Sequence, residues 1–249
     1  MNQQYWDRLA KNFAGRVFEI AGGETNGALA ATVKKLSRRY KTAGDFGCGA
    51  GGTTPLLATY FDEVIAIDYA KKLLRRAQKR VQTDNVRFLA ADLSAKKPPA
   101  VTVDAAFCIN ALLHPNAKKR RRITETVYAC TRRGGAALVV APALESYLRT
   151  YQVLVACRVA QGQGRKKAVR SVAPLAQKEV HSLVEGIVDV GGTPTKHYMH
   201  DELVQQLADA GFAVATVARV EFPWSEVLDD LPQDLQKFRP WDWLAVASK

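Results

Sequence analysis

The sequence predicts an α/β fold: a doubly wound, mostly parallel sheet with helices on both faces. Short apolar runs rich in Val, Ile, Ala and Phe alternate with longer amphipathic segments, and this alternation is typical of parallel sheets. Glycine is concentrated directly after the first apolar run, and the loop after the first strand of such a sheet is a common ligand site. The sequence therefore predicts a ligand-binding loop at one edge of a parallel sheet.

Five strands are predicted in the first part of the chain because five short apolar runs are bounded by Gly, Pro or polar residues. They lie near residues 43–46, 64–67, 86–90, 105–109 and 136–140. Amphipathic segments at 53–60, 69–81 and 117–131 predict the connecting helices. Asn116 is expected to be the N-cap of the last of these, and Gly134 its C-terminal stop.

The flanking regions contain further elements. Helices are predicted at 3–13 and 26–40, before the first strand, and at 144–159 and 175–188, on either side of a polar basic linker at 161–171. A helix from residue 200 to Gly211 is followed by strands at 212–222 and 241–249. The regular alternation thus breaks after the fifth strand.

Length and composition favour one soluble domain. The 249 residues can bury a substantial core, and no apolar run approaches the length of a membrane span. The N-terminus lacks the features of a signal peptide, so a cytoplasmic location is expected. Cys48, Cys108, Cys130 and Cys157 form no CxxC pair, and we expect reduced, packed thiols rather than a zinc framework.

The net charge of +12 suits an anionic partner. Nucleic acid, a phosphorylated or carboxylated small molecule and an acidic protein all fit, and so does a role in solubility alone. The run at 118–122, Lys-Lys-Arg-Arg-Arg, resembles a nucleic-acid patch, but five consecutive helical residues cover the whole circumference. A solvated helix start is the alternative.

The glycine-rich loop raises the question of which ligand it binds. Gly47, Gly49 and Gly52 fit the dinucleotide fingerprint, but Asp45 stands two residues before the first of them. A carboxylate at this position would repel a pyrophosphate. It would not repel S-adenosylmethionine, which carries an ammonium group and a cationic sulfonium.

The segment Asp45-Phe46-Gly47-Cys48-Gly49-Ala50-Gly51 resembles motif I of the class I S-adenosylmethionine-dependent methyltransferases, acidic-x-Gly-x-Gly-x-Gly. The resemblance extends over residues 43–140 and, by topology, the last strands. It implies a seven-stranded sheet whose antiparallel last strand lies next to the fifth. It also implies a single domain, 1–249, with an N-terminal helical cap at 1–41 and a helical lid insertion at 143–197.

The resemblance also implies a set of cofactor-binding residues. Asp68, 17 residues after Gly51, would accept the ribose hydroxyls, with Tyr69 beside it. Asp92 and the Leu93 N–H would bind the adenine, and Asn110 would lie beside the methionine moiety. Tyr5, on the first helix, would reach the methionine carboxylate or else be a core residue.

Methyl transfer requires mainly the alignment of nucleophile, methyl and sulfur. His114 is the candidate general base, although His114-Pro115 could simply begin the next helix. His197 and Tyr198 are candidates for the acceptor pocket, and Arg149 is one of several basic lid residues that would suit an anionic acceptor. The HxxH pattern and Asp201 resemble a metal site, but Asp201 is expected to cap a helix, so no metal is predicted.

The leading hypothesis is a methyltransferase that acts on a small molecule, without membrane attachment. Three alternatives stay open: an RNA methyltransferase, a non-catalytic S-adenosylmethionine-binding protein, and an NAD(P)-dependent oxidoreductase. The fourth strand lacks the (Asp/Asn)-Pro-Pro-(Tyr/Phe) signature of DNA and glutamine methyltransferases, since Ala111 and Leu112 follow Asn110. The acceptor, its reacting atom and the oligomeric state are not defined by the sequence.

Overall fold

The structure, a computed structural model, describes residues 23–224, 237 and 239–249. The strands of its main sheet are β1 (Thr42–Phe46), β2 (Glu63–Asp68), β3 (Val86–Ala90), β4 (Val103–Ile109), β5 (Thr131–Pro142), β9 (Ala213–Glu221) and β10 (Trp241–Ser248). A smaller sheet contains β6 (Val180–Ser182), β7 (Ile187–Asp189) and β8 (Pro194–Lys196). The described helices are α1 (Ala28–Ser37), α2 (Thr54–Tyr60), α3 (Lys71–Arg80), α4 (Ala117–Cys130), α5 (Leu144–Ala160), α6 (Arg165–Glu179) and α7 (His200–Asp209).

The main sheet has seven strands in the order β3-β2-β1-β4-β5-β10-β9. The pairs from β3 to β5 are parallel, and β10 is antiparallel to both β5 and β9. The predicted fold class is confirmed, including the antiparallel last strand next to the fifth. Because β10 runs in the opposite direction, its first residues lie at the edge where the parallel strands end.

Helices cover both faces of this sheet. Ala105 and Phe107 of β4 pack in a core with residues of α1 and α2, whereas Ala106 and Cys108 pack with residues of α4 and α7. This alternation is the period of two expected for a strand buried on both sides. Burial of each large apolar side chain contributes about 1.5–3 kcal/mol, so the two cores hold the sheet edge rigid.

The predicted helix boundaries are partly confirmed. The Asn116 side chain caps α4 by accepting the Lys119 N–H at 3.2 Å. The Gly134 prediction is wrong, because α4 ends at Cys130 and Gly134 lies inside β5 with φ of +71°. Gly211 has φ of +107° and follows the end of α7, as predicted.

The region after β5 differs most from its prediction. Residues 165–171, expected to be linker, begin α6, and the helix predicted at 175–188 ends at Glu179. The chain then forms the hairpin of β6 and β7, in which Gly186 has φ of +63° and a Cβ would collide with the His197 carbonyl. The predicted helical lid is therefore a helical pair plus a three-stranded sheet.

Several predictions concern the N-terminal region and the cysteines. The helix predicted at 3–13, with Tyr5, lies outside the described residues. The helix predicted at 26–40 is the shorter α1, whose first turn is capped by the Glu24 carboxylate, which accepts the N–H groups of Leu29 at 2.8 Å and Ala30 at 3.0 Å. All four cysteines are free and buried, as predicted. No helix in the described ranges is long and apolar enough to cross a membrane.

Candidate cofactor and acceptor site

The glycine-rich loop leaves β1 in conformations that favour glycine. Gly47, Gly49 and Gly51 have φ of +84°, +56° and +78°. A Cβ on Gly47 would lie 2.5 Å from the Cβ of Ala111, which follows β4. The Gly47 N–H donates to the Ile67 carbonyl at 2.8 Å. The loop is thus held close to the ends of both neighbouring strands.

Asp45 is buried at the end of β1, with 2% of its surface exposed. Its carboxylate accepts a 2.7 Å hydrogen bond from the Thr54 hydroxyl. Burial raises the pKa of Asp45 to about 6; the Thr54 hydrogen bond acts in the opposite direction, and the charge of Asp68 adds to the rise. A cation in this space would relieve the repulsion between the two carboxylates.

Asp68 ends β2 and ties the loop to the next helix. One of its carboxylate oxygens accepts the Gly49 N–H at 2.9 Å, and the other accepts the Ala70 N–H at 2.7 Å. Burial and the charges of Asp45 and Asp68 raise the pKa of the Cys48 thiol, so the two carboxylates converge on the loop. Tyr69, half-buried, follows directly.

Asp92 and Leu93 follow the end of β3. Asp92 is exposed, and its Oδ1 accepts the N–H and the hydroxyl of Ser94, each at 2.8 Å. Leu93 is buried, and its carbonyl accepts the Thr126 hydroxyl at 2.9 Å. The Ala91 N–H donates to the backbone carbonyl of Asp68 at 3.1 Å, which places these two strand ends side by side.

Asn110 and Asp242 form a pair at the ends of β4 and β10. Asn110 has φ of +48°, and its N–H donates to the Val140 carbonyl at 2.9 Å. Its Nδ2 donates to Asp242 Oδ2 at 3.4 Å, while its Oδ1 is buried with no partner among the described residues. The sequence interpretation missed Asp242; the available signal was a carboxylate inside the apolar strand Trp-Asp-Trp-Leu.

His114 lies in the loop between β4 and α4. Its Nδ1 accepts the Asn116 N–H at 2.9 Å, so the neutral ring carries its proton on Nε2. Arg120 fixes this loop, since its Nη1 donates to the carbonyls of His114 at 2.8 Å and Pro115 at 2.7 Å. Arg120 is buried, so this residue of the basic run at 118–122 supports the protein's own loop, a role that the sequence did not reveal.

The segment containing His197 and Tyr198 returns to the same sheet edge. The Lys196 N–H donates to the Leu113 carbonyl at 3.0 Å, and the Tyr198 N–H donates to the Pro142 carbonyl at 2.7 Å. Tyr198 is fully buried, and its hydroxyl donates to the Leu112 carbonyl at 3.0 Å. This hydroxyl therefore supports the loop after β4 from within the core.

The His197 ring packs 5.6 Å from the ring of Tyr147, at the start of α5. Burial lowers the pKa of His197 to about 4; a hydrogen bond to the Thr195 carbonyl opposes this, and the Lys196 charge adds to it. The ring is consequently neutral at physiological pH.

The predicted cap at Asp201 is wrong. The Glu202 carboxylate accepts the Met199 N–H at 3.4 Å, and the Glu145 carboxylate accepts the His200 N–H at 2.9 Å. Asp201 lies instead 2.6 Å from Nδ1 of His200. Within the part of the chain that the structure describes, no group of three or more His, Cys, Asp or Glu residues could hold a metal ion.

The segment with the glycine-rich loop matches a known protein family. Residues 44–135 match the family model described as a methyltransferase domain. Over these residues the chain is similar to the class I methyltransferases. Such domains use S-adenosylmethionine as methyl donor, and the matched residues contain the glycine-rich loop and the ends of β1 to β4.

Curated relatives are similar to part of the chain. A malonyl-[acyl-carrier protein] O-methyltransferase of Coxiella burnetii is 32% identical over 82 residues, which are 32% of this chain and 33% of the relative. Uncharacterized methyltransferases of Mycobacterium bovis and Mycobacterium tuberculosis are 34% identical over 118 residues, 47% of this chain. The chain thus spans a third of the Coxiella relative's length and 59% of the mycobacterial ones.

Solved structures support the fold. A methyltransferase of Anabaena variabilis matches with a TM-score of 0.62 and 16% identity over 99% of this chain and 92% of that one. DhpI in complex with SAM and HEP matches with a TM-score of 0.58 and 17% identity, over 99% of this chain and 95% of that one. The N-methyltransferase NodS of Bradyrhizobium japonicum, in complex with S-adenosylhomocysteine, matches with a TM-score of 0.59 and 12% identity. The match covers 98% of this chain and 96% of that one.

Four of the predicted cofactor residues lie at strand ends along one edge of the main sheet, and Asp242 lies at the same edge. In sheet order, the side chains at the strand ends are Asp92, Asp68, Asp45, Asn110 and Asp242. Arg149 lies farther along α5, where its Nη1 donates to Gln152 at 3.1 Å. The roles of these residues toward ligands stay predictions.

Proposed function

We propose that the chain transfers the methyl group of S-adenosylmethionine to a small-molecule acceptor. The observation that carries this proposal is the buried pair of carboxylates beside the glycine-rich loop. Asp45 is 2% exposed, and the charge of Asp68 contributes to its raised pKa. A sulfonium and an ammonium would stabilise the ionised carboxylates, whereas a diphosphate would add further negative charge.

The predicted cofactor residues at this edge then have distinct roles. Asp68, already oriented by two N–H groups, accepts the ribose hydroxyls, and Tyr69 lies beside them. Asp92 and Leu93 bind the adenine. Asp45 and the glycine-rich loop surround the methionine part, whose ammonium complements the carboxylate charge. Asn110 borders the same part from the end of β4.

The cofactor supplies a methyl group on a positively charged sulfur, which is a good leaving group. The chain's residues bind it, orient the acceptor and exclude water. His114 contributes an Nε2–H, because its Nδ1 is committed to the Asn116 N–H. Because Nε2 of the neutral ring already carries a proton, His114 orients the acceptor by donating a hydrogen bond and does not act as the general base that the sequence predicts. His197 and Tyr147 border the acceptor side.

An acidic acceptor is supported by the charges of the lid insertion. Arg165, Lys166, Lys167 and Arg170 are exposed on α6, and Arg149 and Arg158 belong to α5. These side chains suit a carboxylate or phosphate on the acceptor. The name of the Coxiella relative, a malonyl-[acyl-carrier protein] O-methyltransferase, is consistent with an acidic acceptor group.

Calorimetry with S-adenosylmethionine, S-adenosylhomocysteine and NAD(P)H tests the cofactor class. Binding of the first two alone supports the proposal, and preferential binding of NAD(P)H would favour an oxidoreductase. A screen of small carboxylic and phosphorylated acceptors with methyl-labelled cofactor tests turnover. Cofactor binding without turnover of any small or RNA acceptor would favour a non-catalytic binding protein.

An RNA acceptor is the second candidate, and α3 is the observation that favours it. This helix follows the ribose-binding Asp68 and contains no acidic residue. Its exposed residues include six basic ones: Lys71, Lys72, Arg75, Arg76, Lys79 and Arg80. If single-stranded RNA binds here, the affinity should fall with salt, with a logarithmic slope of about −0.7 for each phosphate neutralised.

A further inference from the structure

Asp242 forms a pair with Asn110 at the ends of β10 and β4, and the proposed function assigns a role to Asn110 but none to Asp242. We propose that Asp242 is a catalytic residue that accepts a hydrogen bond, and then the proton, from an amine or hydroxyl acceptor, with Asn110 Oδ1 as a second hydrogen-bond acceptor. This inference rests on the proposed function, because it places the acceptor beside the methionine part of the cofactor.

The topology brings Asp242 to this place. In the register of the sheet, Asp242 pairs with Pro142 at the end of β5 and with Val220 of β9. The Asn110 N–H donates to the Val140 carbonyl, two residues before Pro142. A carboxylate on the antiparallel strand thus joins the row of side chains that β1 to β4 supply, on the side away from the adenine residues.

The polar atoms of this pair are under-satisfied in the protein itself. Asp242 is 8% exposed, and its bond from Asn110 is long at 3.4 Å. Asn110 Oδ1 is buried and has no partner within the described residues. Asn110 also has a left-handed φ of +48°, which is uncommon for a residue other than glycine. Strained and orphaned polar groups concentrate at functional sites, where a ligand completes their hydrogen bonds.

The protonation behaviour of Asp242 fits this role. Burial raises the pKa of Asp242 to about 7, and the hydrogen bond from Asn110 offsets the rise only in part. A carboxylate with this pKa can take up a proton near neutral pH. As the acceptor's N–C or O–C bond forms, the methyl–sulfur bond breaks, its electron pair stays on sulfur, and the acceptor proton passes to Asp242.

The chemistry also sets the specificity. A carboxylate nucleophile would be repelled by ionised Asp242, whereas an amine or hydroxyl would be bound by it. The acidic group that the lid insertion favours is therefore a distant part of the acceptor and not the methylated atom. The predicted acceptor is a small molecule with an amine or hydroxyl as the methylated group and a carboxylate or phosphate elsewhere.

A cofactor analogue tests this proposal without knowledge of the acceptor. Sinefungin carries an amine where S-adenosylmethionine carries the transferable methyl, and S-adenosylhomocysteine carries neither group. Calorimetry would give the Kd of both for the wild type, Asp242→Asn, Asp242→Glu and the control Asp62→Asn. Asp62 is an exposed carboxylate just before β2, at the opposite edge of the sheet. Thermal melts verify that each variant is folded.

We expect Asp242→Asn to weaken sinefungin by at least ~10-fold, or ~1.4 kcal/mol, while S-adenosylhomocysteine changes less than ~3-fold. Asp242→Glu should retain part of the sinefungin affinity that Asp242→Asn loses, and Asp62→Asn should leave the affinity for both ligands unchanged. Equal effects of Asp242→Asn on both ligands, or no effect on sinefungin, would overturn the role of Asp242 alone. A wild type that binds neither ligand would overturn the proposed function itself, and this inference with it.

Discussion

The Thr54 hydroxyl donates a 2.7 Å hydrogen bond to the Asp45 carboxylate, which joins the first turn of α2 to the end of β1. This bond fixes a carboxylate that is buried and close enough to Asp68 for their charges to interact. The protein thus keeps an electrostatically unfavourable pair at the centre of its site, and the cost should be measurable in its stability.

We predict that Asp45→Asn stabilises the ligand-free protein at pH 8. In the folded protein the pKa of Asp45 is raised to about 6, so the folded state binds its proton more tightly than the unfolded state does. The stabilisation that comes from this tighter proton binding is fully present below the pKa of Asp45 in the unfolded state. It is lost as the pH rises through the pKa in the folded state. The gain at pH 8 should be on the order of 1–3 kcal/mol.

Thermal melts at pH 4 and pH 8 check this prediction. The Tm of Asp45→Asn should exceed that of the wild type by about 2–4 °C for each kcal/mol at pH 8, and the difference should shrink at pH 4. The same variant should bind S-adenosylmethionine more weakly. A variant that is less stable than the wild type at both pH values would show that the ionised carboxylate is not under strain.

Gly47→Ala should disrupt the loop through a specific contact. The new Cβ would lie 2.5 Å from the Cβ of Ala111, in addition to the strain of a φ of +84°. Gly162→Ala is the matched control, because Gly162 has φ of +89° and a Cβ added there would have no other atom within 4 Å. Calorimetry should show a large loss of S-adenosylmethionine affinity for Gly47→Ala only.

The double variant Gly47→Ala/Ala111→Gly separates the contact from the backbone strain. Removal of the Ala111 methyl should restore part of the affinity. If the double variant binds no better than Gly47→Ala, the contact with Ala111 does not account for the loss.

Arg120→Ala should destabilise the protein, whereas Arg121→Ala should not. Arg120 is 6% exposed and donates to two carbonyls of the loop after β4, so its removal leaves two partly buried acceptors without this partner. We expect a loss of about 1–3 kcal/mol for Arg120→Ala and less than about 0.5 kcal/mol for the exposed neighbour. Urea titrations of both variants measure this, and similar losses for the two would contradict the structural role.

The sequence predicted those parts of the site that local patterns determine. Asp45 and Asp68 end apolar runs that are strands by their own periodicity, so their positions at the sheet edge followed from the runs. Asp242 does not end an apolar run but lies near the start of the last strand. Only the antiparallel direction of this strand, which the family resemblance implied, brings Asp242 to the same edge. The partner of Asn110 is 132 residues away in the chain, and no local pattern indicates such a contact.

The errors in the fold have a similar cause. Residues 180–189 form a hairpin because β8 pairs with β7 and the His197 backbone passes over Gly186. The local pattern of apolar residues fits a helix equally well, and the tertiary pairing decides. In the basic run at 118–122 all five residues are positively charged, so the sequence gives no sign that Arg120 alone among them is buried.

The ribose contact of Asp68 is the central claim, because it distinguishes an S-adenosylmethionine site from a merely similar sheet edge. Asp68→Asn is preferable to Asp68→Ala, since the Asn amide oxygen keeps an acceptor for one of the N–H groups of Gly49 and Ala70, whereas Ala removes the acceptor of both. Asp62→Asn is again the matched control.

The most direct measurement is the calorimetric Kd of S-adenosylmethionine and of NAD⁺ for the wild type, Asp68→Asn and Asp62→Asn. The account predicts that the wild type binds S-adenosylmethionine and not NAD⁺, that Asp68→Asn weakens this binding by about 10–100-fold with its fold intact, and that Asp62→Asn has no effect. An unchanged affinity in folded Asp68→Asn, or tighter binding of NAD⁺ by the wild type, would contradict it.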